Sequence, residues 1–186
     1  MPTNLELKAR IKSPAQIVRR AKKICLPGGV FSQIDTYFQV KRGRLKLREF
    51  SGKRGELIYY ERNEVRGERW SKYLISPVKD PSTMKNLLGI ALGVRIVVRK
   101  SRRLFLYKGA RIHIDSVFRL GHFVEIEVIV RKGRHQARSL LREITTLFEI
   151  EEKTSIACSY AELMEKESLR NQQRSSKSCR KRLARA

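Results

Sequence analysis

Three cysteines among 186 residues, Cys25, Cys158 and Cys179, stand far apart and in no metal-ligand spacing. They offer neither a disulfide framework nor a zinc site, and reduced, structurally incidental thiols in an intracellular protein are the expectation. No apolar run approaches the roughly 18–20 residues needed to span a bilayer, so no membrane segment is expected. The N-terminus is strand-like and already charged at Glu6, which is unlike a signal peptide. No internal repeat and no nucleobase-reading motif stands out. Negative charge is also scarce, with 18 Asp and Glu against 42 Lys and Arg and a formal net charge of +24. That surplus implies a polyanionic partner (nucleic acid, nucleotide, polyphosphate or acidic membrane) without choosing among them. A hydrophobic content of 41% and this length describe one globular domain with a real core.

What the chain has instead is a set of short strands with charge on one side and hydrocarbon on the other. Glu6, Lys8 and Arg10 alternate with Leu5, Leu7, Ala9 and Ile11; Arg44, Lys46 and Arg48 alternate with Leu45 and Leu47. Lys100 and Arg102 form a third charged face, Arg111, His113 and Asp115 a fourth, and Glu125 and Glu127 a fifth. Period-two alternation reads as a strand with successive side chains on opposite faces of a sheet. One such strand is ordinarily a solvated face; five in one domain point to a shared lumen.

Between these strands the chain reads as follows. Ser13-Pro14 resembles a helix start, with Ser as N-cap and helical apolar spacing from Ala15 to Ile24. Pro27-Gly28-Gly29 is expected to break the chain before a strand from Phe31 to Val40. Arg44–Phe50 and Glu56–Arg62 read as a hairpin around residues 51–55. Residues 63–72 read as a polar loop, overlapping a strand around Trp70–Ser76. Asp80-Pro81-Ser82 opens a second helix to Leu92. Two strand pairs then follow, Arg95–Arg102 with Leu104–Tyr107 and Ala110–Phe118 with His122–Arg131, and an amphipathic helix from His135 to Phe148. A short helix from Tyr160 to Glu167 ends a domain of residues 1–167, and residues 168–186 read as a disordered basic tail. The sum is an α+β domain built around a closed or nearly closed antiparallel barrel.

If the charges point into the barrel, helices must cover its apolar outside. Cations converging on one lumen repel one another unless an anion binds, and carboxylates beside them suit a hard divalent cation. Glu125 and Glu127, two apart on one strand, share a face at a spacing that serves such a site. A triphosphate matches the charge and length of the set. His113 alone reads as a hydrogen-bonded structural residue, and Tyr37, Phe38, Tyr59 and Tyr60 as core aromatics.

The motifs resemble the CYTH superfamily of triphosphate tunnel enzymes. Leu5-Glu6-Leu7-Lys8 is similar to its N-terminal Glu-x-Glu-x-Lys signature, with Asn4 where the first Glu is expected. Asp35–Phe38, Gly43–Arg48, Arg99–Arg102 and the run His113–Glu127 follow in order, so the resemblance covers roughly residues 2–165. Glu56–Arg62 looks closest to the class IV adenylate cyclase-like branch. The resemblance implies an eight-stranded antiparallel tunnel with helices packed outside, using Mg2+ or Mn2+. It implies that Lys8, Lys46, Arg48, Lys100 and Arg102, joined by Arg10 and Arg44 on the same charged faces, bind the triphosphate. Glu6, Glu125 and Glu127 would hold metal; Asp115 would hold metal or orient a basic side chain in catalysis. Tyr37 matches a position used for water activation in some triphosphatases. Two departures stand out: Asn4 removes a carboxylate, and Glu61 stands where relatives carry a phosphate-binding Lys, putting a carboxylate in or near the lumen, with Arg62 or Arg44 as the candidates to compensate. Arg119 replaces a common Gly in a turn.

Three functions follow as expectations. Hydrolysis of a nucleoside, thiamine or inorganic triphosphate ranks first, because it asks least of the protein. Cyclisation of ATP to cyclic AMP and pyrophosphate ranks second, and non-catalytic binding of polyphosphate or RNA 5′ ends third. A cytosolic location with a nuclear share, and weak nucleic-acid binding through the basic tail, complete the reading.

Overall fold

Strands that carry charge on one side must turn that side toward water or toward one another, and this chain does the latter. The computed structural model describes residues 1–51, 54–62, 68–131 and 133–170. The strands are β1 (Thr3–Arg10), β2 (Leu26–Phe38), β3 (Arg44–Phe50), β4 (Gly55–Arg62), β5 (Arg69–Val78), β6 (Val94–Tyr107), β7 (Ala110–Val117) and β8 (Gly121–Ile129). They close into an antiparallel barrel in the order β1-β5-β4-β3-β2-β6-β7-β8. Helices α1 (Pro14–Ile24), α2 (Pro81–Leu92) and α3 (Arg134–Leu147) lie outside it, and residues 160–170 form a further helix, α4. The expected α+β fold, an eight-stranded antiparallel barrel with helices outside, is the observed one.

The barrel is inverted relative to an ordinary core. Leu5, Leu7, Ala9, Ile112, Ile114, Val124, Ile126 and Val128 face outward and are buried under Ile17 and Ala21 of α1 and Ala137, Leu141 and Ile144 of α3. On the other side Phe38, Leu47 and Val78 meet Met84, Leu88 and Leu92 of α2. One end of the interior is itself apolar: Tyr37, Ile58, Tyr60, Val98, Val117 and Phe123 pack with Tyr160 and Ala161 of α4. The segment leading into α4 is tied to the barrel, with Ser155 bridged to Ala9, Ile156 N donating to Lys8 O at 2.8 Å and Arg69 donating to Ala157 O at 3.0 Å. This segment closes one end of the lumen.

Several local expectations are corrected. Pro27-Gly28-Gly29 does not interrupt the chain; it lies inside β2, where a bulge between Pro27 and Gly29 absorbs the irregularity. Gly28 lies so close to Leu104 that a Cβ would sit 2.5 Å from its Cγ. Arg95–Arg102 and Leu104–Tyr107 are not a strand pair but one continuous β6, because β2 pairs with it antiparallel from Leu26 to Phe38 across two register shifts. Ser13 makes no side-chain cap, whereas Asp80 accepts from Thr83 N at 3.1 Å. Strand β5 begins at Arg69, inside the stretch read as a loop, of which residues 63–67 lie outside the described residues. The last helix runs on to residue 170, and the rest of the segment read as a tail, 171–186, lies outside the described residues. Arg119 adopts φ 66°, a left-handed turn in which a residue with a Cβ is strained, which accounts for glycine being common there.

The outer core depends on α3. Leu141→Ala, at a position 1% exposed, is expected to lower stability by roughly 2–5 kcal/mol in urea denaturation. A change within about 0.5 kcal/mol would mean that α3 is not part of the cooperative core.

Candidate active site

Register fixes which side chains meet inside the barrel. Glu6 of β1 stands opposite Glu127 of β8, and Lys8 opposite Glu125; His113 of β7 is also paired with Glu125, and Arg111 with Glu127. Across the lumen Asp35 of β2 pairs with Arg48 of β3, and Tyr37 with Lys46, while Gln33 pairs with Lys100 of β6. These residues surround a cavity of about 390 Å³. Its β1–β8 wall carries the carboxylates Glu6, Glu125 and Glu127; its β3–β6 wall carries Lys46, Arg48, Lys100 and Arg102.

The basic wall is organised on a carboxylate that carried no role in the sequence reading. Asp35, 1% exposed, accepts from Arg48 Nε at 2.8 Å, Lys46 Nζ at 3.0 Å and Lys100 Nζ at 3.1 Å. Burial works to raise its carboxyl, but Arg48, Lys100 and Lys46 overcome this and hold it well below the usual carboxylate range. Burial, reinforced by Arg102, pushes Lys100 down to about 7 despite Asp35. Burial likewise pushes Lys8 down to about 8, against the pull of Glu125.

On the opposite wall Glu125 lies 3.4 Å from Lys8 and 2.8 Å from Arg102, and Glu127 lies 2.8 Å from Arg111 and 3.3 Å from His113 Nε2. Burial opposes ionisation of both. Lys8 and Arg102 nevertheless hold Glu125 well below its ordinary value, and His113 and Arg111 lower Glu127. Glu6 is different: burial, then the repulsion of Glu127 and Glu125, raises it, although Arg62 stands 3.3 Å away. Asn4 Oδ1 is buried on the same wall with no hydrogen-bond donor. Three crowded carboxylates and an orphaned amide oxygen are the oxygen donors that a hard divalent cation uses. Each carboxylate is engaged by a basic side chain, and among the described residues no group of three or more His, Cys, Asp or Glu is assembled around one point.

The expected site residues are thus placed unequally. Glu6, Tyr37, Lys8, Lys46, Arg48, Lys100, Arg102, Glu125 and Glu127 all line the cavity. Asp115 stands behind it, fully buried, accepting from Arg102 at 2.8 and 2.6 Å and from the Tyr160 hydroxyl at 2.9 Å. Its geometry is that of a group orienting Arg102. Arg10 is spent at the closed end, donating to Leu120 O at 2.5 Å and stacking 4.8 Å from the Phe123 ring. Arg44 is held by Glu162 of α4 at 2.6 Å and lines a separate outer hollow with Arg95. Burial, then Asp35, raises the Tyr37 phenol, so its proton stays on. Glu61 does not enter the lumen: it faces outward to Arg42 and Tyr59, both at 2.8 Å. The inward position on β4 belongs to Arg62, in line with Ile58 and Tyr60. Counting by twos from Ile58 finds Arg62. The Asp35-Thr36-Tyr37 alternation marks Asp35, but no local signal marks Tyr160, whose ring lies 3.8 Å under Lys8 Nζ.

The CYTH domain matches residues 3–160 of the sequence. The chain belongs to the CYTH family. Among curated proteins none matches it in sequence. Solved structures share the fold of this CYTH protein at low identity. The PH1012 protein from Pyrococcus horikoshii OT3 is 21% identical with a TM-score of 0.78, over 86% of this chain and 98% of that one. A putative adenylate cyclase from Vibrio parahaemolyticus is 18% identical with a TM-score of 0.71, over 87% and 97%. The putative adenylyl cyclase HpAC1 from Hippeastrum, described as having a dominant triphosphatase activity, is 14% identical with a TM-score of 0.60, over 86% and 91%.

Two predictions follow from the walls. Asp35→Asn leaves three buried cations without their counter-charge, and a stability loss of roughly 3–5 kcal/mol is expected in urea. Inorganic tripolyphosphate should raise the variant's midpoint more than it raises the wild type's; equal shifts would mean that Asp35 does not hold the place of a ligand anion. The second concerns pH. Anion binding needs the ammonium forms of Lys100 and Lys8, which are lost as pH rises through about 7 and about 8. Affinity for tripolyphosphate, measured by calorimetry, should therefore fall between about pH 6 and pH 9, by at most about tenfold per unit for each lysine. A flat profile would refute the lowered lysines.

Proposed function

We propose that this CYTH protein hydrolyses a triphosphate inside the barrel with the help of Mg2+ or Mn2+. The observation that carries the reading is one cavity whose β1–β8 side holds three carboxylates beside Lys8 and whose β3–β6 side holds four cations. Lys8, Lys46, Arg48, Lys100 and Arg102 bind the phosphate oxygens of the chain lying between the walls, and substrate replaces Asp35 as the main counter-charge of Lys46 and Lys100. Asp115 positions Arg102, whose two donors would face charge developing on a transferring phosphoryl group. Glu6, Glu125, Glu127 and the Asn4 amide oxygen would hold the metal, which supplies charge neutralisation and orientation at the phosphoryl oxygens. The closed end limits solvent entry from one side, so the nucleophilic water and the substrate share the opposite opening. Most of the work is positioning and electrostatic stabilisation, as phosphoryl transfer requires.

A second reading, cyclisation of ATP, draws on the open end. There Phe31 and Phe50, edge to face at 6.4 Å, line the cavity with Leu104 and Ile75. An apolar rim of this kind suits an organic group carried by the phosphate chain.

Phosphate release from tripolyphosphate, thiamine triphosphate and ATP, with Mg2+ or Mn2+, tests both. Hydrolysis that falls on the order of 10²-fold or more in the Glu125→Gln/Glu127→Gln variant is expected. Cyclic AMP as the main product would replace the first reading with the second. Silence with every substrate and both metals would remove both.

A further inference from the structure

The charge that marks this chain is not in its cavity. Seven basic side chains line the lumen against four carboxylates, and the buried Asp35 and Asp115 stand directly behind its wall. With the buried Arg69 counted as well, eight cations face six anions, a surplus of two. The described residues hold 33 Lys and Arg against 17 Asp and Glu. Away from the lumen, therefore, 25 cations remain against 11 anions, a surplus of 14. A ligand of the tunnel answers only the interior charge.

The outside acids are largely committed. Glu49 is held by Lys85, Glu61 by Arg42, Glu68 by Arg138, Glu143 by Lys108, Glu162 by Arg44 and Glu165 by Arg95. Helix α1 has no acid of its own (PAQIVRRAKKI). Its Arg20 is taken by Glu149 and by Phe148 O, which pins the helix to the end of α3. Lys12, just before the helix, and Arg19, Lys22 and Lys23 on it are exposed and have no acidic partner among the described residues. Arg19 stands three and four residues before Lys22 and Lys23, a like-charge spacing that destabilises a helix unless an anion lies across it. The apolar side of α1 is occupied, with Ile17 and Ala21 buried against the barrel and Ile24 the one large apolar residue of the helix left exposed, at 42%. A helix that binds a membrane surface needs that apolar side free; a helix that binds phosphates needs only the cations.

We propose that the outer face of α1, with Lys12, is a docking surface for the phosphate backbone of a nucleic acid, separate from the tunnel. The surface reads charge rather than sequence, so binding is salt-dependent and tolerant of sequence.

The test uses the full chain and a labelled RNA of roughly 20 nucleotides without a 5′ phosphate, so that the tunnel has no end group to take. Fluorescence anisotropy is measured between about 50 and 200 mM KCl. Arg19→Gln/Lys22→Gln/Lys23→Gln keeps good helix formers at exposed positions. Three lost contacts should flatten the slope of log K against log salt by about 2, so that the affinity lost across this range is about 20-fold smaller than for the wild type. Lys23→Gln alone should flatten it by about 0.7, which keeps the test valid if the triple variant misfolds by circular dichroism. The Glu125→Gln/Glu127→Gln variant should bind RNA as the wild type does, whether or not the tunnel is catalytic. Unchanged binding and slope in the α1 variants would overturn the proposal, as would weaker RNA binding in the tunnel variant. So would binding to phosphatidylserine vesicles without binding to RNA.

Discussion

Burying ionised groups is the constraint on which this structure depends. A charge moved from water into protein costs several kcal/mol unless a partner of opposite sign stands within hydrogen-bond distance. The barrel meets that condition with Asp35 under Lys46, Arg48 and Lys100, Asp115 under Arg102, and Glu125 and Glu127 against Lys8, Arg102 and Arg111. The rest of the architecture follows. Side chains alternate, so a charged inside imposes an apolar outside, and α1, α2 and α3 must cover it. The hydrophobic core is consequently a shell around the lumen rather than its filling.

The pairs that make the barrel stable would also suit it to a ligand. Asp35 binds the lysines as a phosphate oxygen would, and it lowers the repulsion among cations that a ligand would otherwise have to quench. The strained members of the set are those whose charge is least compensated: Glu6, raised by burial and by its two acidic neighbours, and Lys100, lowered by burial and Arg102. Glu6 lies on the β1–β8 side of the cavity and Lys100 on the β3–β6 side. Departures from ordinary titration mark the places where a bound cation and a bound anion would relieve the field.

Two features distinguish this member of the family. Arg62 fills the inward position of β4 and faces Glu6, while Glu61 turns outward, so the lumen keeps a cation there, as a guanidinium, rather than losing one. Asn4 contributes a neutral oxygen where the family signature has a carboxylate, which lowers the negative charge of that wall but keeps a donor atom aimed into it. The same chain carries uncompensated cations on α1, Arg19, Lys22 and Lys23, on the far side of the outer core from the lumen. On the two proposals, interior and exterior charge would answer to different partners.

The sequence by itself determined the strands, their charged faces and the inverted barrel, because side-chain direction in a strand depends only on parity. Glu6, Lys8, Lys46, Arg48, Lys100, Arg102, Glu125 and Glu127 were legible for that reason, and the family motifs supplied their order. Parity also held the position of Arg62, which comparison with relatives had assigned to Glu61. What only the tertiary structure decided was which charged residues sit at the level of the cavity. Arg10 and Arg44 share faces with site residues, yet strand tilt and the length of β1 and β3 carry them to the closed end, where Leu120 O and Glu162 claim them. Asp115 shares a face with His113 but lies behind Arg102. The stopper formed by Tyr160 had no local signature at all, since its hydrogen bond to Asp115 and its ring contact with Phe123 both join distant parts of the chain. Local alternation sets direction; depth and partnership come from how eight strands and a C-terminal segment close around one another.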